Sequence, residues 1–167
     1  QLKRFAYAYL PRRINVTVSH VLIVANQTFA SYFGGQILSA LILGVMTAVG
    51  MVILRLPFAP VVASVVGVTA LIPTIGAYIG NFVGVVLILT DSPVKALIFF
   101  IFLIVLQQIE GNLIYPKIVG TRVGLPTYWV LIAVILGGGF GGVFGILIAV
   151  PIVATIYYLV KESVEAR

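Results

Sequence analysis

Three long tracts of the chain contain no Asp, Glu, Lys or Arg: Arg13 to Arg55, Arg55 to Asp91, and Arg122 to Lys161. A helix that crosses a bilayer needs roughly 20 mostly apolar residues at a 1.5 Å rise each, and every one of these tracts is longer. Soluble domains carry about 25% charged residues; here the share is 8%, beside 62% hydrophobic residues and a mean hydropathy of +1.23. So few charges cannot cover a water-exposed globule. The sequence predicts an all-α, polytopic helical membrane protein whose first partner is the lipid bilayer.

The net charge of +6 does not indicate nucleic acid. Lys3/Arg4, Arg12/Arg13, Lys117 and Arg122 are scattered singly or in pairs, as membrane-flanking charges are, and form no basic face. The chain has no cysteine, which removes disulfides, thiolate catalysis and Cys-ligated metal and fits a bacterial inner membrane. No cofactor or metal site is expected. The start, QLKRFAYAYLPRR, lacks the early apolar run of a signal peptide and begins with Gln, so a fragment or processed piece of something longer is expected.

Along the chain, residues 1–35 read as a polar, amphipathic segment at the membrane surface. Within it INVTVSHV alternates like a strand, whereas VLIVANQTFASYF suits a helix lying along or entering the membrane. The first clear span is Gln36–Leu54, with Ser39, Gly44 and Gly50 for close packing and Arg55 as its stop. Leu56–Thr90 is too long for one helix and is interrupted at Ile72-Pro73-Thr74-Ile75-Gly76, giving halves at about 58–72 and 74–90. Asp91-Ser92-Pro93 is a turn, and Val94–Ile109 is an unbroken helix. Gly124–Val160 is broken by GGGFGG at 137–142. The core thus spans 36–160, followed by a polar cytoplasmic tail at 161–167.

The two broken segments share a pattern: each opens with Leu-Pro (Leu56-Pro57, Leu125-Pro126), and Gly76 and Gly145 fall at equal distances from that opening. Paired Gly/Pro-interrupted apolar segments point to transporter binding sites. Their freed backbone groups must line a cavity or be buried in protein. Each segment returns to its starting side whether it is re-entrant or spans twice. The N-terminus, the 110–122 loop and the C-terminus therefore share one side, which the positive-inside rule makes cytoplasmic. Only Arg55 and Lys95 fall on the other.

Gly137, Gly139 and Gly142 satisfy G-x-G-x-x-G, but an apolar helix containing Pro151 follows them, so a hinge or packing point is read there and not a dinucleotide site. At the first break, Pro73 lacks a backbone donor, Gly76 and Gly80 permit close approach, and Thr74 and Asn81 supply polar atoms. His20, the one histidine, is assigned an interfacial or packing role. The stretch LQQIEGNLIYPK ends the apolar helix with Gln107, Gln108, Glu110 and Asn112. On a helix Gln107 and Glu110 share one face, and Gln108 and Asn112 another. Either this end has reached the lipid headgroups, or it lines an aqueous cavity where Glu110 orients a polar solute or binds a cation or proton. No nucleophile–base pair or paired carboxylates are present, so an enzyme is not expected.

IPTIG at 72–76, Q-x-x-E-x-N-x-x-x-P-K from Gln107 to Lys117, and the glycine-rich ending at 137–151 together resemble the C-terminal half of the autoinducer-2 exporter family. The resemblance covers roughly residues 30–160. It implies a polytopic inner-membrane protein, homo-oligomeric, that exports a small polar signal; some relatives are associated with sodium/proton antiport. Where the family often has an aromatic after the proline and a second proline after the glycine, this chain has Thr74 and Ala77. The reading is an alternating-access transporter of a small polar solute. Pro73, Thr74, Gly76 and Asn81 form its first break, and Gln107, Gln108, Glu110 and Asn112 its polar wall. Gly137, Gly139 and Gly142 form the second break. A cation/proton antiporter and a non-transporting scaffold are the alternatives.

Overall fold

The computed structural model describes residues 12–73, 75–114, 117–118 and 125–165. Every regular element in it is helical. Helix α1, Arg12–Ile53, joins the two stretches that the sequence separates at Gln36. It runs through Gly34 and Gly35 without interruption, and its 42 residues make a rod of about 63 Å. It ends in a Schellman motif. The Leu56 N–H donates to Met51 O at 2.9 Å and the Arg55 N–H to Val52 O at 3.1 Å, while Leu56 and Met51 are both buried. Arg55 takes the left-handed φ of 53° that this motif requires and that glycine would adopt more readily.

Helix α2, Ala59–Thr69, has Pro60 in its first turn, where the missing N–H leaves no helical bond unmade. Helix α3, Ile75–Leu89, follows the break, and α4, Pro93–Ile109, continues as a π-helical turn, Glu110–Ile114. Helix α5 covers Thr127–Glu165 but folds back at Gly142, where φ is 55° and ψ −139°. A Cβ added to Gly145 would land on the Gly137 carbonyl, so the two arms meet through bare backbone at the turn. The expected interruptions at 72–76 and 137–142 are both present, and the all-α fold is as the sequence predicts.

Two cores share α1. The C-terminal half of α1 packs with α2, α3 and α4 around Leu43, Met51, Val62, Val66, Ile88, Phe99 and Leu103. The N-terminal half packs with the α5 hairpin around Tyr32, Ala133, Val134, Ile146, Val150 and Ala154. Glycines let α2 and α3 touch: Gly76, Gly80 and Gly84 lie along one buried face of α3, against Thr69, Val66 and Val62. This is the close small-residue packing of membrane helices, where lipid offers no hydrophobic drive to association.

By length and composition three helices can cross a membrane: Val18–Ile53, Pro93–Ile114 and Tyr128–Val164. The third is not one straight rod, because it folds back at Gly142. Helices α2 and α3, of 11 and 15 residues, reach only about 16 and 22 Å, each short of a ~30 Å hydrocarbon core. The distribution of polarity is inverted relative to a soluble protein. Phe82 is 71% and Phe140 92% exposed, whereas Gln36 and Ser39 are 4% and 3% exposed.

Candidate functional site

The inverted polarity converges on one place, where α1, the break between α2 and α3, and the end of α4 meet. Several hydroxyls satisfy themselves locally: buried Thr47 donates to Leu43 O and buried Thr155 to Pro151 O, and half-buried Thr69 to Val65 O, each within its own helix. Three side chains instead reach across elements. Ser39 Oγ of α1 donates to Glu110 Oε1 at 2.5 Å. Gln36 Nε2, one turn earlier on α1, donates to Ala70 O at 2.8 Å. Gln107 Nε2 of α4 donates to Ala77 O at 3.0 Å. Gln36 and Ser39 are spaced i, i+3, as are Gln107 and Glu110, so each helix presents a pair from one face. The two backbone carbonyls flank the break.

The break is built by its sequence. The last carbonyls of any helix lack an intrahelical partner, and Pro73 brings no N–H to the turn. Ala70 O is such a terminal carbonyl, and Gln36 satisfies it. Gly76 seats α3 against α2, because a Cβ there would land on the Thr69 carbonyl oxygen. Glu110 stands where α4 widens into its π turn, a rare geometry found often at functional positions. The buried Gln36 Oε1 has no hydrogen-bond partner among the described residues. An orphan acceptor of this kind is expensive, about 1–3 kcal/mol.

Of the residues singled out from the sequence, Pro73 and Gly76 are buried at the break and Asn81 is half-buried on α3; Thr74 lies outside the described residues. Gln107 and Glu110 join the cluster. Gln108 and Asn112 are exposed and bond to one another at 3.2 Å, on the other face of the helix end. Gly137 is buried against Gly145 and Ala149, whereas Gly139 and Gly142 have open space where a Cβ would project. His20 lies 2.8 Å from Glu162 Oε2, across 142 residues. Gln36 and Ser39 were missed as site residues, Ser39 being read only as a small packing residue. The signal was there: Thr28, Tyr32, Gln36 and Ser39 recur at helical spacing inside an apolar tract, the reverse of a soluble amphipathic pattern.

Interrupted apolar helices with a polar cluster at one interruption are the pattern that points to the binding sites of membrane transporters. The comparison with known proteins agrees. The chain belongs to the AI-2E family of transporters, whose family profile, described as AI-2E family transporter, matches residues 1–165. It is similar to "Putative transport protein YueF" of Bacillus subtilis, 35% identical over 78% of this chain and 36% of that protein. It is 34% identical to "Putative transport protein sll0063" of Synechocystis, over 95% of this chain and 38% of that protein. "Putative transport protein YrrI" of Bacillus subtilis is 29% identical over 99% of the chain and 47% of its own length. The chain thus spans less than half the length of each of these relatives. No solved structure gives a significant match.

Proposed function

We propose that the chain forms the substrate-handling part of a transporter that moves a small polar solute across the bacterial inner membrane by alternating access. The observation that carries this is the Ser39–Glu110 hydrogen bond beside the α2–α3 break. A carboxylate and one helix-terminal carbonyl, Ala70 O, lie close together there in a body whose outer surface is apolar. Polar and ionisable groups inside membrane segments turn inward and mark solute or ion paths. The orphan Gln36 oxygen adds an acceptor that a solute donor would satisfy. In this reading α2–α3 and the α5 hairpin are re-entrant elements, and Gln107 and Glu110 are the polar wall. Arg55 and Lys95 mark the outer face, and the termini lie in the cytoplasm. The part of α1 before Gln36 enters from the membrane surface, and the end of α5 from Lys161 on begins the cytoplasmic tail; residues 1–11 and 166–167 lie outside the described residues. The protein works as a homo-oligomer. The signal named in the family's title role, autoinducer-2, is the first solute to test.

Glu110→Gln keeps the shape and the Ser39 contact but removes the charge. In reconstituted vesicles loaded with autoinducer-2 it is expected to lower efflux by about tenfold, the effect of one charge-assisted hydrogen bond, while insertion and assembly persist. Unchanged efflux would contradict the role given to Glu110. A second reading, cation/proton antiport, is favoured by one feature: the cluster is rich in oxygens, with Glu110, Gln36 Oε1 and two carbonyls as acceptors. A pH jump across the vesicle membrane, with and without sodium, separates the two readings, since only the antiporter couples proton flux to sodium.

A further inference from the structure

The aromatic residues of α5 are sorted along its hairpin. Tyr128, Trp129 and Tyr157 stand together near the base: the ring centroids of Tyr128 and Trp129 are 5.9 Å apart, and those of Trp129 and Tyr157 6.4 Å. The fold-back at the other end carries Phe140 and Phe144, 92% and 78% exposed. Phenylalanine is apolar throughout, whereas tyrosine and tryptophan join an apolar body to a polar tip. Among the described residues, neither the hydroxyls of Tyr128 and Tyr157 nor the Trp129 indole N–H has a hydrogen-bond partner within the chain. Beside these rings lies an apolar hollow of about 200 Å³, lined by Trp129, Val153, Ile156, Tyr157 and Val160. About one turn further out, His20 Nε2 lies 2.8 Å from Glu162 Oε2, with both side chains well exposed. Polar groups therefore continue outward from the base, while the tip from Gly137 to Phe144 has none.

We propose that the base of the α5 hairpin is a docking surface for phospholipid. Its ring tips meet the glycerol and headgroup layer, and the upper part of one acyl chain lies in the hollow against the Trp129 indole. Tryptophan and tyrosine gather at headgroup level because there the ring body stays dry while the polar tip finds a partner. The depth of the tip follows from this anchor. Trp129 and Gly142 are thirteen residues apart, about 20 Å of helix, against a hydrocarbon core of about 30 Å. The turn thus ends roughly 10 Å short of the far headgroups, which puts Phe140 in hydrocarbon. A hairpin that crossed completely would instead hold both phenylalanines at the opposite surface. This surface is separate from the Glu110 cluster and does not depend on the solute role given to it.

Trp129 is the only tryptophan of the chain, so its fluorescence reports this surface without labelling. The purified chain is reconstituted in phosphatidylcholine vesicles whose acyl chains carry bromines either near the glycerol end or near the methyl end, bromine being a contact quencher of indole. Trp129 emission is expected to fall about twofold more with the shallow bromines than with the deep ones, as headgroup-level placement requires. Phe140→Trp, made together with Trp129→Phe, is expected to show the reverse order, deep bromines quenching about twofold more than shallow ones, as a tip within the hydrocarbon requires. Circular dichroism checks that both proteins keep the same helix content. Trp129 quenching that is not stronger with the shallow bromines would overturn the proposal, and complete protection from both lipids would mean that protein covers this face instead. Quenching of Phe140→Trp that is not stronger with the deep bromines would overturn it equally.

Discussion

Gln36 is the residue at which stability and function pull in different directions. Its Nε2 holds Ala70 O at 2.8 Å, and leaving that carbonyl unpaired would cost about 1–3 kcal/mol, while its own buried, unpartnered Oε1 costs about 1–3 kcal/mol. The two effects nearly cancel. Gln36→Leu is therefore expected to change unfolding free energy in detergent by no more than about 1 kcal/mol, yet to reduce transport severely, because the acceptor aimed into the cluster is gone. Ser39→Ala differs. It strips the donor from a half-buried carboxylate and is expected to lose about 1.5–3 kcal/mol, measured by chemical denaturation. Glu110 and Gln107 were legible because polar residues ending a long apolar run stand out. Gln36 and Ser39 were not, since each sits singly among apolar neighbours and only the partner across the helix gap gives it meaning.

The elements tell a parallel story about glycine. Two glycine runs interrupt apolar sequence, Gly34-Gly35 and 137–142, and they behave oppositely. At Gly34 the helix continues, because glycine in a helix costs only about 1 kcal/mol and burial of Tyr32 and Gln36 on the same face outweighs it. At Gly142 the chain reverses through a φ of 55° and ψ of −139°, a conformation that is essentially reserved for glycine. Local sequence does not separate these outcomes; packing partners far along the chain do. Proline was the better guide, for Pro73 marked the first break directly. Gly142→Ala is expected to destabilise the α5 hairpin by about 1–3 kcal/mol through backbone strain alone, since nothing crowds the added methyl. Arg55→Gly is expected to do the reverse. It relieves a left-handed residue, worth about 1–2 kcal/mol, against glycine's extra unfolded freedom of about 0.5–1 kcal/mol, so the thermal midpoint rises modestly. Gly76→Ala, whose methyl would strike the Thr69 carbonyl, is expected to cost more than a typical overpacking of about 1–3 kcal/mol, and to loosen the break.

At the scale of the whole molecule, the fold class was legible in the charge-free tracts, and the membrane character follows from physical necessity: α1 alone presents Leu38, Leu41, Val45, Val49 and Val52 outward. What the sequence did not disclose is that one continuous helix organises two separate cores, because the strand-like alternation at 14–21 masks helical continuity. In the proposed transporter the polar path lies inside and the apolar surface faces lipid. The native chain has no cysteine, so single cysteines can be placed cleanly and probed with a water-soluble, membrane-impermeant thiol reagent in intact vesicles. Asn81 and Phe82 are adjacent on α3, the first half-buried and the second 71% exposed. Asn81→Cys and Ser39→Cys are expected to be labelled, faster during solute flux, and Phe82→Cys is expected to stay unlabelled. The opposite result, with Phe82→Cys labelled and the two inner positions silent, would contradict that arrangement.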